Sequence, residues 1–282
     1  MIYREIEGEV EIMEVSDFDL AAIFECGQCF RWVEDESGVY CGVAFGRVVK
    51  VRMYGETVII TCSIEDFEAV WRDYFDLDND YSKIKKRLCI DDYMCRATDL
   101  GSGIRILRQD KWEALCSFII SQNNNIPRIK KIIDVLCREF GEKIVFDGSE
   151  YFAFPSAERL AVLNEKSLAT LHCGYRAEYI ISAARAIVSG ALDLDALSRV
   201  ASDTARIELM KLRGVGNKVA DCVLLFGLHM LDSFPMDVWM KRTVLEQYGS
   251  GFDPSVFSPY AGIAQQYIFH YARSSSALLH RP

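Results

Sequence analysis

Apolar and polar positions change their spacing as the chain proceeds. Over about the first 60 residues, short β-branched and aromatic runs alternate with glycine-containing turns: "GVYCGVAFG", "RVVKVRMYG" and "TVIITCS". These runs predict strands, and an antiparallel meander is the simplest way to join them. From Ser63 the period lengthens. "SIEDFEAVWRDYF" opens with Ser63 and, three residues on, Asp66, a capping-box-like helix start. Beyond Gly101 nearly every segment has helical spacing. "DKWEALCSFIIS" puts Trp112, Leu115, Cys116, Ile119 and Ile120 on one face. "NIPRIKKIIDVLCREFG" has Pro127 in its first turn, apolar Ile129, Ile132, Ile133, Leu136 and Phe140, and a stop at Gly141. Further helices are predicted in "YRAEYIISAARAIVSG", "SDTARIELMKL", "NKVADCVLLFGL", "DVWMKRTVLEQYG" and "YAGIAQQYIFHYAR". No repeat of solenoid period occurs. The prediction is an α+β protein: an N-terminal antiparallel β-sheet domain with flanking helices over residues 1–102, then a mostly α-helical body over 103–282.

Length and composition fit this division. The chain has 282 residues, half of them apolar, enough for a sizeable core and about two domains. Lys and Arg number 32 against 41 Asp and Glu. That acidic balance weighs against a nucleic-acid partner, which usually demands a basic footprint. Net charge describes the whole surface, however, and binding uses one face. No apolar run reaches membrane-span length, and the N-terminus "MIYREIEGEVEI" has no signal-peptide core. The ten cysteines are therefore expected to be free thiols in a reducing compartment. Cys26 and Cys29 form a C-x-x-C with no second pair at zinc spacing, which makes two ordinary residues the better reading. The absence of a compact four-cysteine cluster near the C-terminus argues against an iron–sulfur centre.

The stretch with the most chemistry is "LRGVGNKVAD", residues 212–221. Gly214 and Gly216 flank Val215 between two predicted helices, at about 203–228, and permit a tight hairpin with close backbone approach. Amides following Gly216 would point out of a helix start, a setting suited to an anion. A Walker loop is excluded by the glycine spacing. From these residues alone, Lys218 could pair with a phosphate, sit in solvent or serve as a nucleophile. A nucleophilic amine needs its ordinary value of ~10.4 lowered toward roughly 7–8, and a helix start followed by apolar Val219 disfavours the ammonium. Asp237, after "FPM" and before a helix, reads as an N-cap, a position that also suits a carboxylate facing developing positive charge.

The wider segment, with the hairpin, Lys218, Pro235 and Asp237, resembles the signature of the helix-hairpin-helix DNA glycosylases. Lysine after the hairpin is similar to the bifunctional members. Four further stretches, "GQCFRW", "GIRILRQDKWEALCSFIISQNNNIPRI", "GYRAEYI" and "SPYAGIAQQYIF", resemble the 8-oxoguanine DNA glycosylase/AP lyase family, in order from near residue 20 to residue 270.

That resemblance implies a two-lobed helical body and a set of roles. Lys218 would attack C1′ and Asp237 would stabilise an oxocarbenium-like transition state. The Gly27 carbonyl would accept a bond from N7–H, present in the oxidised base and absent from guanine. Gln265 would read the Watson–Crick edge, and Phe269 and Cys222 would sandwich the flipped ring. Periodicity by itself makes Cys222 and Phe269 core residues. Asn123 would fill the gap left by the flipped nucleotide, Arg128 and Arg176 would contact the estranged cytosine, and Tyr175 would wedge at the step. Gly214 and Gly216 would grip the backbone.

Trp239 departs from the family pattern, in which many relatives have a phosphate-contacting histidine at that position. The implied partner is double-stranded DNA with 8-oxoguanine opposite cytosine, with no membrane. No catalytic cofactor or metal is implied; a structural cation bridging hairpin carbonyls and phosphate would assist binding only. One site per chain suffices, so a monomer is expected. The short N-terminus leans toward a bacterial source and a cytoplasmic nucleoid, whereas a eukaryotic source would mean the nucleus.

Overall fold

The N-terminal strands make one antiparallel sheet in the computed structural model, which describes residues 1–279; residues 280–282, the end of the body predicted over 103–282, lie outside the described residues. The strands are β1 (Ile2–Ile6), β2 (Glu9–Met13), β3 (Trp32–Glu34), β4 (Tyr40–Ala44), β5 (Arg47–Tyr54) and β6 (Thr57–Ile60). Their order is β1-β2-β6-β5-β4-β3. Strands β4 to β6 form the expected meander, but the sheet is larger than that. β3 pairs with β4, β2 with β6 and β1 with β2, three strands that the apolar runs did not mark. Val10, Ile60, Val51 and Tyr40 align across four strands and are all buried. This row faces the aromatic core of the sheet, where Trp32 stacks on Phe24 at 4.1 Å. Gly42 sits opposite Trp32, and a Cβ there would enter the indole ring.

Helix α1 (Leu20–Glu25) interrupts the sheet, capped by Asp19. After the sheet come α2 (Ile64–Asp66), a π-turn over Phe67–Trp71, and α3 (Arg72–Tyr74). The Ser63 side chain accepts from the Asp66 amide, as the capping pattern predicts. Next are α4 (Tyr81–Leu88), α5 (Asp92–Leu100), α6 (Lys111–Ile120) and α7 (Ile126–Phe140). Tyr81, Ile84, Leu88, Met94 and Ala97 are buried in the larger helical core, so α4 and α5 pack with the body that follows them.

A hairpin of β7 (Lys143–Phe146) and β8 (Ser149–Phe152) follows. The remaining helices are α8 (Ala157–Ala161), α9 (Arg176–Val188), α10 (Leu194–Leu197), α11 (Ser202–Met210), α12 (Asn217–Phe226), α13 (Val238–Tyr248) and α14 (Ala261–Leu279). The apolar faces read from sequence on α6 and α7 lie in the same core, with Trp112 and Phe140 half-buried at its edge, and Val219, Cys222, Val223 and Phe226 of α12 are buried there too.

The expectation of ten free thiols is corrected at one pair. Cys89, at the end of α4, and Cys95, in α5, form a disulfide. The short link between the helices brings their Cα atoms to 4.5 Å, within reach of a disulfide. The other eight cysteines are free, among them Cys26 and Cys29, both buried. Burial pushes the Cys26 thiol up to about 12.

Candidate active site

Helix α12 begins at the hairpin. Gly214 has φ +81°, and a Cβ there would enter the Tyr179 ring, so only glycine fits. Gly216 is the N-cap of α12, has ordinary extended backbone and meets nothing within 4 Å of a built Cβ. Its missing side chain therefore leaves open space outside the protein. No side chain caps the first amides of α12, which face outward at this end.

Lys218, the second residue of α12, is half-buried. Its Nζ donates to Ser121 Oγ at 3.2 Å and lies 5.3 Å from the centre of the Phe118 ring. Asp237 is the N-cap of α13, and its carboxylate accepts from the Met240 amide at 2.6 Å. Lys218, Asp237, Cys222, Gln265, Phe269 and Gly27 all line a single cavity of about 60 Å³, along with Phe118, Phe226 and Pro235. Burial raises the Cys222 thiol, and the nearby Lys218 opposes that shift. Gln266 donates to Gln265 Oε1 at 2.7 Å and so fixes the amide plane. The cavity is far below the ~300 Å³ of ordinary small-molecule pockets. Phe269 is the half-buried wall, held edge-to-face by Trp239 at 5.6 Å and covered by Arg273.

Gly27 sits just past α1 with φ +88°, where a Cβ would lie 3.9 Å from Phe269. Its neighbour Gln28 was not singled out in the sequence and does much to place it. The Gln28 side chain is fully buried, donating to the Ile23 and Arg105 carbonyls and accepting from the Leu107 amide. The Gln28 carbonyl accepts from Gln109 Nε2 at 2.7 Å. A glutamine beside a loop glycine is the only sequence signal of this clamp.

The other residues gather on an adjoining surface. Asn123 has φ +45°, and its Nδ2 donates to Tyr175 OH at 3.3 Å. Arg128, exposed, donates to the His172 carbonyl. Arg176 is only 4% exposed and gives hydrogen bonds to the carbonyls of Gln122, Asn123 and Cys173. Four of its five N–H groups are thereby engaged, three of them in holding the asparagine loop. Ser121 joins this loop to Lys218, a link invisible in the linear sequence. A larger cleft of about 910 Å³, lined by Arg108, Trp112, Leu192 and His229 among others, lies at the far end of α12. It contains none of the candidate site residues.

Comparison with known proteins identifies the family and the fold. Residues 12–115 match the model of the 8-oxoguanine DNA glycosylase N-terminal domain. Residues 116–255 match that of the HhH-GPD superfamily of base excision DNA repair proteins. An N-glycosylase/DNA lyase of Saccharomyces cerevisiae is 36% identical, over 83% of this chain and 69% of that protein. A structure of MBOgg1 with a low-affinity DNA ligand superposes with TM-score 0.94 at 43% identity, covering 98% of this chain and 100% of that one. The Clostridium acetobutylicum 8-oxoguanine glycosylase/lyase, in complex with double-stranded DNA containing cytosine opposite 8-oxoG, has TM-score 0.93 at 39% identity, covering 98% and 99%.

Proposed function

The chain belongs to the 8-oxoguanine DNA glycosylase family of helix-hairpin-helix base-excision repair enzymes, N-glycosylases with lyase activity, and from that premise we propose a specific chemistry for it. It flips 8-oxoguanine from opposite cytosine and attacks the exposed sugar with Lys218. The observation that carries this reading is the convergence of Lys218, Asp237, Cys222, Gln265, Phe269 and Gly27 on one cavity from segments far apart in sequence.

The Lys218 nitrogen lone pair forms a bond to C1′. The C1′–N9 electrons leave with the base, which takes up a proton. Opening of the sugar ring gives an imine between Lys218 and C1′. Removal of a C2′ proton then expels the 3′ oxygen and nicks the strand. Asp237, held at the head of α13, faces the positive charge that develops on the sugar. The Gly27 carbonyl takes the N7–H of the oxidised base, and guanine would leave that carbonyl unpaired.

On the DNA side, the hairpin and the amides after Gly216 hold a phosphate at the start of α12. Among the described residues no group of three or more His, Cys, Asp or Glu could hold a metal ion, so a bridging cation would use hairpin carbonyls and phosphate. Asn123 and Tyr175 enter the duplex where the base has left. Arg128 offers the forked contact to cytosine, and Arg176 adds its one uncommitted N–H. A single protomer carries all these residues, so the enzyme acts as a monomer.

The test is borohydride trapping on an 8-oxoguanine:cytosine duplex. Wild-type protein should give a covalent complex and Lys218→Gln none. Tight lesion binding without trapping would overturn the lyase chemistry. Equal turnover with all four opposite bases would overturn the roles of Arg128 and Arg176.

A further inference from the structure

The loop that enters the duplex and the helix that carries the lysine meet at one hydroxyl. Ser121 closes the C-terminus of α6, and its Oγ donates to the Phe118 carbonyl at 2.8 Å. The only hydroxyl proton is thus committed. What Ser121 presents toward α12 is its oxygen lone pairs, and Lys218 Nζ lies 3.2 Å away.

We propose that Ser121 is a positioning residue for the Lys218 amine, fixing one N–H so that the nitrogen lone pair is turned away from α6. The inference rests on the reading of Lys218 as the nucleophile. An ammonium has three N–H groups and no lone pair. After one proton leaves, two N–H groups and a lone pair remain. A serine with a free hydroxyl proton could donate into that lone pair and quench it. Ser121 cannot, because its proton belongs to Phe118, so it accepts one N–H and leaves the lone pair unoccupied.

The support is rigid. The Phe118 ring beneath Nζ stacks on Phe226 of α12 at 5.2 Å, which ties both sides of the contact together. The other titratable groups lining the cavity are Cys222 on α12, Asp237 at the head of α13 and Cys26 beside Gly27. Two residues beyond Ser121, Asn123 contacts Tyr175, so the nucleophile and the DNA wedge share one anchorage.

Single-turnover imine trapping on a duplex with a preformed abasic site opposite cytosine isolates this step from base excision. Its rate is measured against pH for wild type, Ser121→Ala, Ser121→Thr and Lys218→Gln. Binding of a duplex bearing a tetrahydrofuran abasic analogue is measured in parallel. Ser121→Ala should lower the plateau rate about tenfold, the size of one lost hydrogen bond to a polar or charged group. It should also displace the acid limb of the rate profile, because the amine loses the acceptor of one N–H. Analogue affinity should stay within about twofold, and Ser121→Thr should recover most of the rate. Should the alanine variant fail to fold, Ser121→Cys, with a weak acceptor of similar size, takes its place with the same expected loss.

Superimposable pH profiles would overturn the proposal. So would a threonine variant as slow as alanine, or a rate loss matched by an equal loss of analogue binding. Trapping that survives in Lys218→Gln would instead overturn the nucleophile assignment.

Discussion

Asp237 accepts a hydrogen bond from the Met240 amide, which makes one carboxylate both the cap of α13 and a wall of the cavity. The two roles separate by substitution. Asparagine caps helices as well as aspartate, whereas alanine costs about 1 kcal/mol. Asp237→Asn should keep its melting temperature while excision falls by at least about 100-fold, in line with losing electrostatic transition-state stabilisation. Asp237→Ala should lose both. Thermal melts beside single-turnover assays on the 8-oxoguanine duplex would show it, and an Asn variant with near-normal excision would remove Asp237 from the chemistry.

Gln28 fixes the loop that carries Gly27 through three side-chain hydrogen bonds. Gln28→Leu keeps similar bulk but strands the Leu107 amide and two carbonyls. Unfolding free energy should fall by about 2–4 kcal/mol. Discrimination of 8-oxoguanine from guanine should narrow as the Gly27 carbonyl loses its fixed aim. Denaturant titration and paired kcat/KM values test the two halves.

Arg128 and Arg176 should part company. Arg128 is exposed and makes one bond to a carbonyl, so Arg128→Ala should leave stability within about 0.5 kcal/mol and chiefly relax the preference for cytosine. Arg176→Ala leaves the loop carbonyls of residues 122 and 123 without the guanidinium that holds them. It should cost about 2–3 kcal/mol and weaken binding opposite every base. Equal melting temperatures for the two variants would contradict this division.

The two hairpin glycines also differ. Gly214→Ala meets a left-handed backbone and the Tyr179 ring, and should cost several kcal/mol or prevent folding. Gly216→Ala meets open space and should fold normally. Its methyl would stand where a phosphate approaches, so duplex affinity should drop about tenfold at unchanged stability. Unchanged affinity would mean the backbone is held elsewhere.

Asp76 links the sheet domain to the helical body and sets an acid limit. Burial pushes its carboxyl up, but the His229 imidazole 3.3 Å away, with hydrogen bonds from Asn79 and Tyr81, outweighs burial and holds it at about 2, below the ordinary 3.8. A carboxyl depressed in the folded state stabilises above its unfolded value and loses that contribution as pH falls through the folded one. About 2 kcal/mol should therefore be lost between about pH 4 and pH 2. Asp76→Asn should be less stable at neutral pH and flatter across that window. Denaturation curves at stepped pH would check the slope.

The body helices are legible because their apolar positions keep one period over several turns and are buried as that period requires. β1 is not, since "IYREI" lies almost wholly exposed at the sheet edge and carries no apolar alternation. The β7–β8 hairpin did leave a signal, Asp147-Gly148, both with positive φ, in a two-residue turn. The Cys89–Cys95 bond depended on how two helix ends meet, which spacing does not specify. Lys218 and Asp237 stand out through family resemblance. Gln28 and Ser121 act through backbone carbonyls and a single hydroxyl contact, and no pattern in a linear sequence marks such partners.

Helix α12 works as a measuring rod. Its first residues stand at the hairpin, Lys218 follows, and Cys222 and Phe226 recur at four-residue steps on the same side. From residue 218 to residue 226 the rise is ~12 Å, and each residue turns the helix by ~100°. If the hairpin grips DNA and Lys218 attacks the sugar, as proposed, the separation between strand and reacting carbon is set by helical pitch. Inserting one residue between Gly216 and Lys218 would swing the amine about a quarter-turn out of the cavity, leaving an enzyme that holds DNA in the wrong phase.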